Sequence, residues 1–271
     1  MTRSGSGRAE PFFFGPAERR LYGCLHAPAS ACRGGVLLCP PIGHEAIQFH
    51  RALRELGGML ATAGFAVLRF DYRGCGDSAG GEEDWSLEAW QQDVVAGLDE
   101  VRRRSGGTWL AAVGLRLGAT LVAIHGSLHG NLARTVLWDP VVDGALFLAE
   151  QRRGHEHMLQ TAHVMAAPDG SRGGAEILGF GLPACFEERL SALSLGEVLD
   201  RPPSERVLLI ESNPAASQVS FERRLEELGC EVRSERVANP HLWTWIEDFA
   251  RVHVPHRILR SIVGWLSEEA G

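Results

Sequence analysis

Along the chain, short apolar runs alternate with stretches in which apolar residues recur every three or four positions. The runs have the length of buried strands, and the three- and four-residue spacing is typical of helices with one apolar face. The predicted strands are 35–39, 65–70, 108–113, 134–139, 206–210 and 230–237. The predicted helices are 49–63, 86–104, 117–128 and 256–266. This alternation indicates crossover connections and a mostly parallel sheet with helices on both faces.

Two regions depart from the alternation. Segments 10–14 and 20–26 carry aromatic and aliphatic residues on either side of Gly15-Pro16, which predicts an antiparallel hairpin at the edge of the sheet. From 144 to about 200 the periodic pattern weakens and glycines cluster, which predicts a short lid inserted into the fold. We therefore expect a single domain over residues 1–271, with the lid as an insertion.

Composition narrows the classes of function. A chain of 271 residues with 45% hydrophobic content can bury a substantial core. Its formal net charge of −7 gives no broad attraction to nucleic acid or anionic lipid. The apolar run at 12–14 is too short for a membrane span or a signal peptide, so we expect a cytoplasmic protein. The absence of lysine excludes Schiff-base chemistry, and the sequence predicts no cofactor and no metal.

Loops that follow parallel strands share one crevice, and several of them carry known motifs. Segment 71–78 is similar to the D-x-R-G-x-G-x-S segment of many α/β-hydrolases, a small-residue turn spans 114–119, and His241 follows the last strand. In this order, the chain resembles the α/β-hydrolase superfamily. Segments 114–119 and 137–142 together also resemble exosortase A system-associated hydrolases, type 2. The resemblance implies an α/β-hydrolase fold and a hydrolase-like site.

The turn that should present the catalytic serine carries an arginine instead. The nucleophile elbow of these enzymes reads G-x-S-x-G, whereas this chain reads Gly114-Leu115-Arg116-Leu117-Gly118. A guanidinium stays protonated and has no lone pair with which to attack an acyl carbon, so Arg116 is not a nucleophile. Two roles remain open for it: an anchor for a substrate carboxylate, phosphate or oxyanion, or a structural ion pair in an inactive site.

The other catalytic positions are partly filled. His241 lies where the family's catalytic histidine follows the last strand, and we expect it to act as acid or base. The acid that orients this histidine normally follows the penultimate strand, where Asn213 stands. Asp139 and Glu211 are the alternative orienting acids, and either could instead pair with Arg116. Tandem prolines at 40–41 remove two backbone donors from the loop that usually supplies the oxyanion hole.

Glu45 lies near the mouth of the same crevice. We consider it an ion-pair partner of Arg116, a base acting on water, or a solvated loop carboxylate. Cys39 and Cys75 are alternative nucleophiles, although neither occupies an elbow. The histidines at 155, 157 and 163 form no H-E-x-x-H motif, which favours a solvated or lid-lining role over metal binding.

Three functions fit these residues. The first is an atypical hydrolase of an ester, thioester or acyl substrate, free or carrier-bound, with Arg116 as anion anchor, His241 as acid or base, and Asp139 and Glu45 as supporting carboxylates. The second is a lyase or cyclase of a biosynthetic pathway. The third is a binding or scaffold protein without catalysis. An open crevice at Arg116 would favour the enzymes, and an occluded, fully paired arginine would favour the third.

Overall fold

The computed structural model describes residues 9–107, 109–161, 175–212, 216–238, 242–243 and 254–268. The strands are β1 Ala9–Phe14, β2 Leu21–His26, β3 Gly34–Cys39, β4 Phe65–Phe70, β5 Leu110–Leu115, β6 Arg134–Trp138, β7 Ala175–Ile177, β8 Phe180–Leu182, β9 Arg206–Glu211 and β10 Glu231–Arg236. The helices are α1 Gly43–Thr62, α2 Leu87–Ser105, α3 Leu117–His129, α4 Gly144–Thr161, α5 Ala184–Ser191, α6 Leu195–Val198, α7 Ala216–Glu227 and α8 His256–Ser267.

Eight strands form one sheet in the order β1-β2-β4-β3-β5-β6-β9-β10. The six strands from β4 to β10 are parallel, and β1 and β2 form an antiparallel hairpin at one edge. One apolar core lies against α2 and α3, and the other lies against α1 and α8 on the opposite face. The predicted fold class and the edge hairpin are confirmed.

Helix α1 begins earlier than the apolar periodicity predicts. The helix begins at Gly43, not at residue 49, directly after the tandem prolines. Its first turns bury Glu45 and Gln48 on the same face as Phe49 and Ala52. Because polar side chains occupy these interior positions, the apolar pattern appears only one and a half turns into the helix. Glu45 is thereby a helical, buried residue, and its interpretation as a solvated loop carboxylate is wrong.

The segment between β6 and β9, which the sequence predicts to be a lid, forms α4, the short hairpin β7-β8, α5 and α6. Helices α4 and α5 contact each other, and α5 also contacts α2. The glycine-rich stretch of the predicted lid, at 167–174, lies outside the described residues. Within the ranges described, no helix is both long and apolar enough to cross a bilayer.

A buried histidine joins the edge hairpin to α1. His26 is 3% exposed, and its Nε2 accepts a hydrogen bond from Arg69 Nε at 3.1 Å. A Cβ on Gly57 would lie only 2.8 Å from His26 Nε2, so glycine makes room for the ring. Burial, assisted by Arg69 and Arg54, lowers the pKa of His26 to about 4.

This pKa predicts a loss of stability in mild acid. The unfolded chain takes up a proton near the ordinary histidine pKa of about 6.5, whereas the folded protein resists protonation of His26 down to about pH 4. Stability is therefore complete above pH 6.5 and falls as the pH drops towards 4, by about 1.4 kcal/mol per pH unit for one proton. Urea unfolding at about pH 7.5, about pH 6 and about pH 5 measures how the free energy of unfolding changes with pH.

The matched variants are His26→Gln and His256→Gln, because His256 is an exposed histidine with a side chain that is 57% accessible. We expect His26→Gln to reduce the pH slope and His256→Gln to retain it. An unchanged slope in His26→Gln would show that other groups cause the acid sensitivity.

Candidate functional site

The sequence-predicted elbow is built as a sharp turn between β5 and α3. Arg116 stands at the turn with φ 52° and ψ −122°, a conformation that non-glycine residues rarely adopt. Its N–H donates to Trp138 O at 2.9 Å, and its carbonyl accepts from Ala119 N at 2.9 Å. These bonds to β6 and to the first turn of α3 hold the strained residue in place.

Two glycines permit this turn. A Cβ on Gly114 would lie 2.4 Å from Ala119 Cα, and a Cβ on Gly118 would lie 2.3 Å from Pro40 O. Both distances are shorter than any real carbon contact, so neither position accepts a side chain without a shift of backbone. The backbone of a nucleophile elbow is therefore present, and the residue that it projects is an arginine.

Arg116 is 7% exposed, and its side chain lies between two carboxylates. Its Nε donates to Glu45 Oε1 at 3.0 Å, and its Nη2 donates to Glu150 Oε2 at 2.5 Å. Gln151 Nε2 donates to the same Glu45 oxygen at 2.9 Å. Since Glu45 belongs to α1 and Glu150 to α4, one guanidinium connects the elbow, the core helix and the inserted segment.

Aromatic rings cover the guanidinium. Arg116 Cζ lies 5.2 Å from the ring centroid of Phe147 and 5.2 Å from that of Trp243. Trp243 also stacks on Phe49 of α1, with ring centroids 4.2 Å apart. The rings supply cation–π contacts and exclude water from the ion pairs.

The charges at the elbow act on one another. Burial lowers the pKa of Arg116, but the nearby Glu45 and Glu150 carboxylates outweigh burial and raise it above its ordinary value. Burial raises the pKa of Glu45, and Arg116 opposes that shift. The guanidinium is thus permanently charged and already paired with two carboxylates, and an external anion would have to compete with both.

Asp139 lies at the carboxyl end of β6, fully buried and with φ 43°. It accepts hydrogen bonds from Trp243 Nε1 at 2.7 Å, from Ser212 N at 2.9 Å and from the Ser212 hydroxyl, and its Oδ1 lies 3.3 Å from Gln218 Nε2. This carboxylate connects the end of β6 to Ser212, which follows β9, and to Trp243. Arg116 makes its ion pairs with Glu45 and Glu150, and none with Asp139, within the residues described.

Glu211, the other alternative acid, is paired with a residue of the neighbouring strand β10. It is fully buried, and its Oε2 accepts a hydrogen bond from Arg236 Nε at 2.7 Å. Arg236 is its register partner on β10. The structure therefore places this carboxylate in a cross-strand ion pair.

His241 and Asn213 lie outside the described residues. The two residues that directly follow His241 are described. Leu242 O accepts a hydrogen bond from Gln48 Nε2 at 2.9 Å, and Trp243 covers Arg116. The cysteines proposed as substitutes for serine are poor nucleophiles, because burial raises the pKa of Cys39 and of Cys75 to about 12.

One histidine of this segment, His155, has a structural role. His155 Nδ1 accepts a hydrogen bond from Leu178 N at 3.1 Å, so His155 supports the turn of the β7-β8 hairpin. The structure brings no group of three metal-ligating side chains together in the described ranges, and His163 lies outside them.

Among the described residues, two open spaces lie beside the elbow, and Arg116 lines neither of them. The crevice lined by Phe147, Gln151 and His44 has a volume of only about 40 Å³, enough for very few waters. A cavity of about 620 Å³ lies between α1 and strands β2 and β4. Ile42 and Phe180 line both spaces and divide them, whereas Arg116 does not line the larger one.

The parallel sheet, the crossover helices and the strained turn after β5 define an α/β-hydrolase fold. The family model for serine aminopeptidase, S33, matches residues 33–168, which is just over half of the chain. The chain therefore belongs to this family, although it lacks a serine at the elbow. No match is found among curated proteins.

Solved structures agree on the fold. Est1E from Butyrivibrio proteoclasticus, with bound ferulic acid, has a TM-score of 0.67 at 14% identity, covering 95% of this chain and 98% of that chain. Esterase Pf2001 from Pyrococcus furiosus has a TM-score of 0.63 at 17% identity, covering 98% and 94%. Proline iminopeptidase from Mycobacterium smegmatis has a TM-score of 0.61 at 13% identity, covering 96% and 99%.

Sequence reasoning missed Glu150 and Gln151. Both lie in α4, where Phe147, Glu150 and Gln151 stand three and four positions apart and so share one face. A carboxylate on the same helical face as a buried aromatic residue was the available signal. Its partner is distant in sequence, so periodicity alone could not identify the contact.

The geometry predicts that Arg116 is a large contributor to stability. In Arg116→Met the side-chain volume is retained, but Glu45 is left as a buried, uncompensated carboxylate, which costs about 3–5 kcal/mol. Arg189→Met is the matched control, because Arg189 pairs with Glu88 at 2.9 Å with both side chains mostly exposed. Such a surface pair contributes about 0–1 kcal/mol.

Chemical denaturation of both variants measures the difference. Adding Glu45→Gln to Arg116→Met removes the uncompensated charge, so we expect the double variant to recover part of the loss. Equal losses in Arg116→Met and Arg189→Met would contradict a structural role for the buried ion pair.

Proposed function

We propose that this chain binds a small molecule in the cavity beside the elbow and forms no acyl-enzyme. The observation that carries this proposal is the state of Arg116. The residue that the elbow projects has no nucleophilic atom, is almost entirely buried, and is paired with two carboxylates under two aromatic rings. This is the occluded arrangement that favours binding over acyl transfer.

The size of the cavity supports a small molecule as the occupant. Ligand sites commonly have volumes of about 300–1,000 Å³ with largely apolar walls, and the cavity of about 620 Å³ falls within this range. The structure of Est1E, which shares this fold, holds ferulic acid. A small organic ligand is therefore compatible with the architecture.

In this proposal Arg116 has a positioning role. Its bond to Glu150 holds α4 against the elbow, and its bond to Glu45 fixes the first turn of α1. Ile42 and Gly43, at the start of that helix, line the wall of the cavity. The ion pairs thereby set the shape of the binding site without contacting its occupant.

Serine-directed reagents provide the test. We expect a fluorophosphonate probe to label neither the wild-type protein nor Arg116→Ser. In that variant a hydroxyl stands at the elbow, but Glu45 remains beside it and Pro40 and Pro41 provide no backbone donors for an oxyanion. Intact-protein mass spectrometry measures labelling, and hydrolysis of p-nitrophenyl acetate measures turnover.

A serine esterase labelled in the same experiment is the positive control. Peptide mapping of any adduct identifies the residue that carries it. Stoichiometric labelling of the wild-type chain, or robust ester hydrolysis by Arg116→Ser, would overturn the proposal.

A second candidate function retains catalysis without serine. In it, Arg116 anchors an anionic group of an ester, thioester or carrier-bound acyl substrate, His241 acts as acid or base, and Asp139 and Glu45 support them. The observation that favours it is Trp243, which follows His241 by two positions, covers Arg116 and hydrogen-bonds Asp139. A lyase or cyclase reaction would use the same residues with proton transfer in place of hydrolysis.

The two candidates differ in their dependence on His241. If the second holds, a panel of acyl esters and thioesters contains a substrate that His241→Ala processes at least about a hundred-fold more slowly, as expected for loss of an acid–base group. His256→Ala controls for the loss of an exposed histidine. Turnover that is absent, or equal in both variants, would exclude catalysis by His241.

A further inference from the structure

The large cavity has a chemical character of its own. It lies between α1 and the strands β2 and β4, and it ends at the loop that follows β4. Apolar side chains form much of its wall, including Ile42, Ala46, Leu53, Phe70, Trp85 and Phe180. An apolar body of moderate size would be desolvated there.

The charged groups of the cavity are mostly acidic. Asp71, Asp77 and Glu82 line it together with a single guanidinium, that of Arg69. Arg69 is partly engaged elsewhere, because its Nε donates to His26 Nε2 at 3.1 Å. His50 also lines the cavity, and partial burial together with Arg69 lowers its pKa, which favours the neutral ring at pH 7. Three carboxylates therefore face one arginine.

Asp71 is the carboxylate that the fold holds most firmly. It follows the last residue of β4, and its Oδ2 accepts a hydrogen bond from Asp77 N at 3.1 Å. A Cβ on Gly76 would lie 2.1 Å from the same oxygen, so the loop closes tightly around one side of the carboxylate. Asp71 Oδ1 has no hydrogen bond to any residue that the structure describes.

We infer that this cavity binds a small organic cation, with an ammonium group at Asp71 and an apolar body against the aromatic and aliphatic wall. The inference rests on the proposed function and names its ligand class. It follows from charge complementarity between the three carboxylates and a cation, combined with the apolar volume. A cation at Asp71 also offsets the burial and the nearby Asp77 charge that raise the pKa of that carboxyl.

Three probes with the same carbon chain test the charge preference. Hexylammonium, hexanol and hexanoate differ only in the terminal group, and heteronuclear NMR titration of the intact protein gives the dissociation constant of each. We expect hexylammonium to bind about ten-fold more tightly than hexanol, and hexanoate to bind more weakly than both.

Variants locate the site. We expect Asp71→Asn to weaken hexylammonium about ten-fold and to leave hexanol unchanged. Asp99→Asn, an exposed aspartate on α2, is the matched control and should change neither affinity. Asp77→Asn, in an exposed part of the loop, provides the same test in the same direction if Asp71→Asn does not fold. Ala46→Phe, which reduces the volume, should weaken all three probes.

The outcomes separate this inference from the proposed function. Equal binding of the three probes, tighter binding of hexanoate, or binding unaffected by Ala46→Phe would overturn the cation site. Absence of binding by every probe would overturn it as well. The proposed lack of an acyl-enzyme would stand in each of these cases, since only fluorophosphonate labelling of the wild-type chain or ester hydrolysis by Arg116→Ser contradicts that part.

Discussion

The ion pairs of Arg116 are the constraint on which the arrangement around the elbow depends. A guanidinium removed from water must be compensated, and here Glu45 of α1 and Glu150 of α4 supply the compensation. The elbow backbone sets the direction of the Arg116 Cα–Cβ bond, and the two ion pairs and two ring contacts hold the guanidinium at the end of the side chain. Helix α1, the elbow and α4 thus meet in one charge cluster, and the removal of Arg116 leaves the buried Glu45 carboxylate uncompensated.

This cluster determines where a ligand can lie. The carboxyl ends of parallel strands normally border the ligand crevice. At β5 and β6 that space is filled by Arg116, Phe147 and Trp243. Farther along the sheet, at the end of β4, the loop around Asp71 borders open volume instead. Among the described residues, this open volume therefore lies two strands from the elbow, from β5 past β3 to β4, at the same edge of the sheet.

Much of the fold could be predicted because the central strands are buried on both faces and therefore appear as continuous apolar runs. The beginning of α1 could not, since Glu45 and Gln48 occupy interior positions that apolar periodicity does not detect. The elbow was recognisable from Gly114 and Gly118. The partner of Arg116 was not decided, because several candidate carboxylates lie near one sheet edge. Only tertiary contacts show that Asp139 is bonded to Ser212 and Trp243, and Glu211 to Arg236, which leaves Glu45 for Arg116.

The strained backbone at Arg116 is retained although this elbow presents no nucleophile. A non-glycine residue at positive φ costs about 1–3 kcal/mol, and without serine the turn presents no nucleophile. The strained turn, however, aims its side chain inward. For serine that direction presents a hydroxyl to substrate, whereas for Arg116 it presents a guanidinium to Glu45 and Glu150. The breaking of buried ion pairs would cost more than relaxation of the turn would recover, so the packing of the arginine is sufficient to maintain the elbow.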